Sequence, residues 1–217
     1  MPELFDEPFP EQAPEAITSY DFDDIASGER LQSYYAATTK FETTTKYILT
    51  GNPSIYSNDE AQTDGIDKDN DTTFRIELDQ DFDLSQFQIT QIFEGEGNIQ
   101  VTWGCSQNYS ADANGVYLIL KVRKWDGTTE TEIASAQTET WNDGSGATLK
   151  TSLVPITIPK TQFKVGEILR LTIELWTMLD SSIAVGSYHL KHDPANRNGT
   201  ATNPYFLKLN MPQKIVL

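Results

Sequence analysis

The sequence predicts an all-β protein, an antiparallel β-sandwich of about nine strands preceded by an extended acidic N-terminal arm. From about residue 43, Thr, Ile, Val, Tyr and Phe dominate in short runs, and Gly, Asn, Asp and Pro separate these runs. Apolar and polar residues alternate within the runs, which is the period-two pattern of half-buried strands. Strands do not alternate with helical segments, so a parallel α/β fold is not expected.

Residues 1–40 differ in composition from the rest of the chain and form the predicted arm. Four prolines within the first fifteen residues favour an extended segment over a long helix. We expect Phe5, Phe9 and Pro10 to anchor this arm on its own body or on a neighbouring subunit. A short helix over residues 23–35 also fits, because aspartates suited to an N-cap begin it.

Residues 41–217 are expected to form a single sandwich domain, because their length suits one β-sandwich. In TTFRIELDQ the side chains of Phe74, Ile76 and Leu78 would share one face of a strand. The same alternation predicts core-facing positions in three further stretches, at Ile99, Val101, Trp103, Val116, Leu118, Leu120, Val122, Leu169, Leu171, Ile173 and Leu175.

Turn residues predict where several strands end. Asp126-Gly127 in RKWDGTTETEI indicates a hairpin with a two-residue turn, followed by a polar edge strand. The strand in SLVPITIPK is expected to end at Pro159. The stretch QFQITQIF, residues 86–93, is expected to be a further strand.

The charge of the chain excludes several classes of partner. Thirty-two acidic and sixteen basic residues give a formal charge of −16, so nucleic-acid phosphates and anionic membranes would be repelled. We therefore expect no nucleic-acid and no membrane partner. The first residues lack the basic and apolar regions of a signal peptide, and we expect synthesis in the cytoplasm without export.

One acidic stretch resembles a metal-binding loop. Asp67, Asp69 and Asp71 at spacing two could converge oxygen ligands on Ca²⁺. The stretch lacks the glycine and the terminal glutamate of an EF-hand loop and leads into a strand, so only a calcium loop of another type remains. The alternative is a solvated acidic loop.

The two histidines of the chain lie three residues apart in SYHLKHDPANRNGT. On a regular strand, His189 and His192 project to opposite faces and cannot chelate one ion together. The Asp-Pro and Asn-Gly steps that follow predict turns. If this corner lay at a subunit contact, protonation of His192 beside Asp193 would tune assembly with pH.

The single cysteine and the four tryptophans have ordinary structural explanations. Cys105 excludes an internal disulfide and is expected to be a buried thiol within or at the end of a strand. Trp103 and Trp176 lie in strand patterns and are expected in the core. Trp125 precedes a turn and Trp141 lies in a loop, so these two are the candidates for stacking on a sugar, with a capping role as the alternative.

The order and composition of these segments resemble those of a known class of proteins. An acidic N-terminal arm, the strand GEILRLTIELW, the turn HDPANR and the terminus NPYFLKLNMPQKIVL resemble virion structural proteins of tailed bacteriophages, specifically jelly-roll proteins that coat or decorate capsids. The resemblance covers roughly residues 90–217 and lies in architecture rather than in a motif. No functional residue is carried over from it.

The resemblance implies a non-enzymatic protein of the virion, made in the host cytoplasm, that forms homo-oligomers and contacts other virion proteins through its arm. The implied fold is a jelly-roll, and no cofactor is implied apart from the calcium hypothesis above. A second hypothesis is a carbohydrate- or receptor-binding sandwich of a phage spike or fibre, using Trp125 or Trp141. A glycan hydrolase is a third, and it would need a specific catalytic Asp or Glu that the sequence does not single out.

Overall fold

The computed structural model describes residues 29–41, 44–51, 61–67, 71–106, 115–141, 148–179, 186–192 and 207–214. Within these ranges the chain forms eleven β-strands and no helix, which confirms the predicted all-β sandwich with more strands than expected. In that part of the chain there is accordingly no helix with the length and hydropathy required to cross a membrane.

The strands in chain order are β1 (Glu29–Phe41), β2 (Thr44–Thr50), β3 (Ala61–Asp67), β4 (Asp71–Asp83), β5 (Gln91–Ser106), β6 (Gly115–Trp125), β7 (Glu130–Gln137), β8 (Thr148–Phe163), β9 (Ile168–Leu179), β10 (Gly186–His192) and β11 (Lys208–Lys214).

Strand β5 organises one half of the sandwich. One edge of β5 pairs with β8, and the other pairs with β11 near its start and with β10 near its end. β1 and β2 continue outward from β11, and β3 continues from β10. The other half is the antiparallel series β4-β9-β6-β7. A parallel bridge between Ile48 on β2 and Asp83 on β4 joins the two halves.

Side chains from both halves meet in one apolar core. Phe82 on β4 packs edge-on against Tyr47 on β2, with ring centroids 5.6 Å apart. Phe93 on β5 packs against Phe163 on β8 at 5.5 Å. Each large apolar side chain removed from water contributes about 1.5–3 kcal/mol to folding. The largest fully buried side chains are Trp103, Phe82, Phe93, Phe163, Ile99, Leu118, Leu120, Ile158, Leu169, Leu171, Ile173 and Leu175.

The period-two prediction is confirmed on β5, β6 and β9 and is wrong on β4. Every core-facing residue predicted on the first three strands is buried. On β4 the register with β9 shifts between Ile76 and Leu78. Leu78 therefore pairs with core-facing Leu175, whereas Ile76 pairs with Trp176 on the outer side and is 44% exposed.

The start of the sheet corrects the prediction of a helix over residues 23–35. From Glu29 the chain is strand β1, which lies between β11 and β2. Tyr34 and Ala36 on β1 face the core and are buried, so tertiary packing overrides the local capping signal. The sheet thus begins inside the 1–40 range assigned to the arm. Residues 1–28, with Phe5, Phe9 and Pro10, lie outside the described ranges.

Two other boundaries differ from the prediction. β8 continues past Pro159 to Phe163, because the β5–β8 register shifts between Phe93 and Gly95 and accommodates the proline there. Residues 84–90 run without regular strand structure between β4 and β5, although the sequence predicts a strand over 86–93.

The β6–β7 hairpin is confirmed, with its tip shifted by one residue. The Asp126 N–H donates to Thr129 O at 3.2 Å, so Gly127 and Thr128 form the tip. Gly127 has φ of 100°, which glycine adopts without strain. The Asp126 carboxylate accepts hydrogen bonds from the backbone N–H groups of Thr129 and Thr128 at 2.7 and 2.9 Å, and these bonds lower the pKa of Asp126.

Candidate functional site

The outer side of the β4-β9-β6-β7 half carries a dense set of side chains, all charged except one threonine, here called the charged face. Its members alternate with the core residues along their strands, so strand geometry projects them all away from the core. The charged face consists of Asp79, Asp81 and Asp83 on β4, Arg170, Thr172 and Glu174 on β9, Lys121 and Arg123 on β6, and Glu130 on β7.

Arg170 is the hub of the charged face. Its guanidinium contacts both Asp83 oxygens, Nε to Oδ1 at 2.6 Å and Nη2 to Oδ2 at 2.9 Å. Nη1 lies 3.0 Å from Glu130 Oε1 and 3.3 Å from Asp81 Oδ2. The hydrogen bonds that Arg170 donates to Asp83, and the surrounding carboxylates, raise the pKa of Arg170. The guanidinium also lies 5.7 Å from the ring centroid of Trp125.

Glu174 is a second centre on the same face and is only 4% exposed. Burial raises its pKa, but hydrogen bonds from Lys121 Nζ and from Trp176 Nε1, the latter at 3.0 Å, lower it below the ordinary glutamate value. Arg123 Nη2 lies 3.9 Å away and adds to the effect. The carboxylate is therefore held ionised.

Asp79 pairs directly with Glu174 across β4 and β9. Partial burial raises the pKa of Asp79, and the nearby negative charges of Asp81 and Glu174 raise it further. Arg123 and Lys121 act in the opposite direction without reversing the shift. Two like charges opposite each other on one sheet face cost stability, so this pair is a local conflict.

Three aromatic side chains extend the charged face at its other end. Tyr117 and Trp176 pair across β6 and β9, and their rings stack at 6.1 Å with an interplanar angle of 7°. Phe74 reaches Tyr117 with ring centroids 4.8 Å apart. All three side chains are half-buried. Trp176 therefore lies on the outer face, which corrects the prediction that it belongs to the core.

The charged face is suited to electrostatic cohesion of its four strands and to contact with an external surface. A carboxylate whose pKa is lowered, as for Glu174, remains ionised near neutral pH and is a poor proton donor. Across the described part of the chain, no group of three or more His, Cys, Asp or Glu side chains is arranged to hold a metal ion. The calcium hypothesis concerns other residues.

The structure places the predicted calcium ligands only in part. Asp67 is the last residue of β3 and Asp71 the first residue of β4. Asp69 lies outside the described residues, and so do the side chains of Asp67 and Asp71. The calcium hypothesis therefore stays a prediction.

The two candidate tryptophans for sugar binding have different environments. Trp125 ends β6 under the Arg170 guanidinium, at the edge of the charged face. Trp141 forms a bridge with Val116 and packs edge-on against the fully buried Trp103, with centroids 5.5 Å apart. Trp141 thus caps the core, and Trp125 lies next to other outward-facing groups.

His189 and His192 lie on strand β10, as predicted. His192 is 1% exposed and contacts the rings of Tyr47 and Phe82, whereas His189 lies on the opposite face. The His192 side chain lies inside the core, and the corner that follows it lies outside the described residues, so the subunit-contact hypothesis stays a prediction. Cys105 lies on strand β5, as predicted.

Two exposed apolar patches lie at separate places on the body. The strand patch consists of Leu149 and Leu153 on the outer side of β8, which are 41% and 66% exposed. The end patch consists of Ile89 and Val165, 66% and 63% exposed, together with exposed Lys164, which directly precedes Val165, and exposed Lys160 near the end of β8. Phe87 and Gly166 hold the two loops of the end patch together through a backbone hydrogen bond of 2.9 Å.

Sequence reasoning missed the charged face and the end patch. Arg170 and Glu174 alternate with the predicted core residues of β9, but their partners lie on β4, β6 and β7. Acidic residues at every second position, Asp79, Asp81 and Asp83, were the available signal. They become partners of β9 only once the strand order is known.

No protein-family model matches the chain, and no curated protein matches it. The fold resembles part of an aminopeptidase from the marine sediment archaeon Thaumarchaeota archaeon, with a TM-score of 0.55, 6% identity, and coverage of 88% of this chain and 37% of that chain. A CocE/NonD family hydrolase from Staphylococcus aureus gives a TM-score of 0.43 at 12% identity, covering 83% and 41%. A structure of infectious bursal disease virus, Gx strain, gives 0.28 at 12% identity, covering 87% and 38%.

The likeness to the aminopeptidase concerns the fold. This chain spans 37% of that protein, and its β-sandwich is a fold that also occurs within a hydrolase. A shared fold at 6% identity carries neither the catalytic residues nor the substrates of that enzyme to this chain.

Proposed function

We propose that this protein is a non-enzymatic structural component of a virion, a coat or decoration protein of jelly-roll type. It assembles with copies of itself and with other virion proteins through its sandwich body and its acidic N-terminal arm. It is made in the host cytoplasm and acts in the particle. It contacts neither nucleic acid nor membrane, and it needs no cofactor.

The observation that carries the proposal is the presence of two apolar patches at separate places on one body. Leu153 of the strand patch and Val165 of the end patch are twelve residues apart, or roughly 35–40 Å at the rise of a strand. Exposed apolar side chains that adjoin one another mark contact sites for a partner, whereas isolated ones are ordinary. Two different patches on one subunit suit head-to-tail contacts, which build rings and lattices.

The construction of β8 favours contacts through side chains over sheet extension. Among the described strands β8 forms a backbone ladder only with β5, and β7 lies close to β8 without pairing with it. Pro155 and Pro159 on β8 are both exposed and cannot donate to an added strand. A subunit on this side would therefore pack on Leu149 and Leu153.

The charge supports an outward-facing layer. A formal charge of −16 keeps free subunits soluble and repels packaged nucleic acid. Light scattering of the purified chain over a concentration series, followed by electron microscopy, tests the proposal. We expect closed rings or shell-like assemblies, and a monomer at every concentration would contradict it.

A second candidate function is a carbohydrate- or receptor-binding module of a phage spike or fibre. The half-buried rings of Phe74, Tyr117 and Trp176 favour it, since aromatic rings beside carboxylates and lysines can stack on sugars and hydrogen-bond their hydroxyls. Glycan-array binding that is lost in Trp176→Ala or Trp125→Ala and retained in Trp141→Phe would support it. If no glycan on the array is bound, carbohydrate binding is excluded for the glycans that the array carries.

A further inference from the structure

The end patch carries two exposed lysines, Lys160 and Lys164, that lack acidic partners among the described residues. Lys121, Lys124 and Lys150 each form an ion pair with a glutamate. Lys160 and Lys164 are exposed, and neither ammonium group forms an ion pair with any described residue. In a chain with a charge of −16, two unpaired cations beside exposed apolar groups form a local site for an anionic, apolar ligand.

Glu167, in the same turn as Lys164, does not neutralise the Lys164 ammonium group. Glu167 in the same turn lies 3.5 Å from Lys124 Nζ and accepts a hydrogen bond of 2.8 Å from the Lys164 backbone N–H. Its side chain is 13% exposed. The Lys164 ammonium group therefore remains available to a partner.

The acidic segment, residues 1–28, has the complementary chemistry. It holds eight acidic residues and no lysine or arginine. In the sequence Phe9 lies two residues from Glu7 and two residues from Glu11, so the segment offers an aromatic ring with a carboxylate on each side. The end patch offers the complementary groups, two exposed lysines and the exposed apolar side chains of Ile89 and Val165.

The position of β1 makes contact feasible. Arg30 on β1 pairs with a residue of β11, which pairs with a residue of β5, which in turn pairs with Thr161 on β8. Three strand spacings of about 4.8 Å put these two residues roughly 14 Å apart, at the end of the sandwich that carries the end patch. The chain from Phe9 to Arg30 can extend over roughly 70 Å, which is several times that distance. The acidic segment is therefore long enough to reach the end patch of its own body or of a copy that lies against it.

We infer that the end patch binds the acidic segment of a second copy of this chain, with Phe9 on Ile89 and Val165, and Glu7 and Glu11 at Lys160 and Lys164. The inference rests on the proposed assembly function and names the contact through which the segment acts. Exposed ion pairs contribute little individually, so the apolar contact supplies affinity and the charges supply register and selectivity.

The first test maps the contact in the full-length chain. Photoreactive p-benzoylphenylalanine replaces Phe9, and this chain is mixed with an equal amount of unmodified ¹⁵N-labelled chain before irradiation. We expect heavy peptides from residues 159–167 or 86–90 to be cross-linked to light residue 9. Cross-links to light peptides alone would mean that the segment folds onto its own body, and heavy peptides from other regions would place the site elsewhere; either result overturns the inference.

The second test is a charge swap in the full-length chain. Lys160→Glu with Lys164→Glu, and separately Glu7→Lys with Glu11→Lys, should each weaken self-association about tenfold, as the loss of two exposed pairs allows. Combining all four substitutions should restore it, which a merely structural effect would not do. The inference would be overturned if the chain with all four substitutions self-associated no more strongly than the chains with either pair alone.

The two proposals fail in different ways. Assembly with cross-links outside the end patch would remove the docking site and leave the assembly function intact. A full-length chain that neither assembles nor cross-links between copies would remove both.

Discussion

Arg170 on β9 and Asp83 on β4 form a two-pronged ion pair, with both guanidinium–carboxylate contacts between 2.6 and 2.9 Å. Asp83 is also the residue that bridges to Ile48 on β2. The pair therefore lies where the two halves of the sheet are joined. Removing Arg170 would leave Asp81, Asp83 and Glu130 clustered without their shared cation.

We predict that Arg170→Ala lowers the free energy of unfolding by about 1–3 kcal/mol, as expected for a hydrogen-bonded charge in contact with three carboxylates. Arg170→Lys should recover only part of this loss, since an ammonium group cannot reproduce the planar fork. Urea unfolding gives both values. A double-mutant cycle with Asp83→Asn should show coupling of at least ~0.5 kcal/mol, and independent effects would mean that the pair contributes nothing specific.

Ionisation of Asp79 and ionisation of Glu174 are expected to change the stability of the fold in opposite directions. The folded-state pKa of Glu174 is lowered, so its ionised form adds stability above the ordinary glutamate pKa, and this is lost as pH falls through the lower folded value. The folded-state pKa of Asp79 is raised, so ionisation costs stability as pH rises through that value. Near neutral pH, Glu174→Gln should therefore destabilise the protein and Asp79→Asn should stabilise it.

Thermal unfolding between acidic and neutral pH measures both effects. The differences from the native chain should shrink towards zero below the ordinary carboxylate pKa range, because both side chains are then protonated. Equal signs for the two substitutions near neutral pH would show that the paired carboxylates do not repel each other as described.

Gly97 on β5 gives a steric prediction. A Cβ there would lie 2.5 Å from the backbone oxygen of Asn210 and 3.0 Å from Pro212 Cδ, and the nearer atom belongs to a paired strand that cannot move freely. Gly97→Ala should cost about 1–3 kcal/mol through this overlap. Gly51→Ala is the matched control, since its nearest neighbour is Gln32 Nε2 at 3.8 Å. Equal stability of the two variants would contradict the close approach of β5 and β11.

The sequence predicts the strands in which apolar and polar residues alternate without interruption. It fails to predict the strands that form only because they pair with other strands. β6 and β9 carry uninterrupted alternation, so their core residues could be assigned without the structure. β1 could not be recognised, because a capping aspartate before residues 29–41 imitates a helix start, and only pairing with β11 and β2 stabilises the strand.

The candidate sites were less predictable than the fold. Trp176 was assigned to the core, although it shares parity with Arg170 and Glu174 on the outer side. The end patch joins Ile89 and Val165, which are far apart in sequence and meet because Phe87 and Gly166 are hydrogen-bonded. A local pattern cannot reveal contacts between loops that only the fold brings together.

The central claim is that the sandwich assembles through its acidic segment, and the most direct measurement is light scattering coupled to size-exclusion chromatography on the full chain and on a chain without residues 1–28. The deletion stops before β1, so every described strand is kept. We predict that the full chain elutes with a mass several times 24.3 kDa and that the shortened chain elutes as a folded monomer with β-rich circular dichroism. A monomeric full chain, or a folded shortened chain that assembles equally well, would contradict the claim.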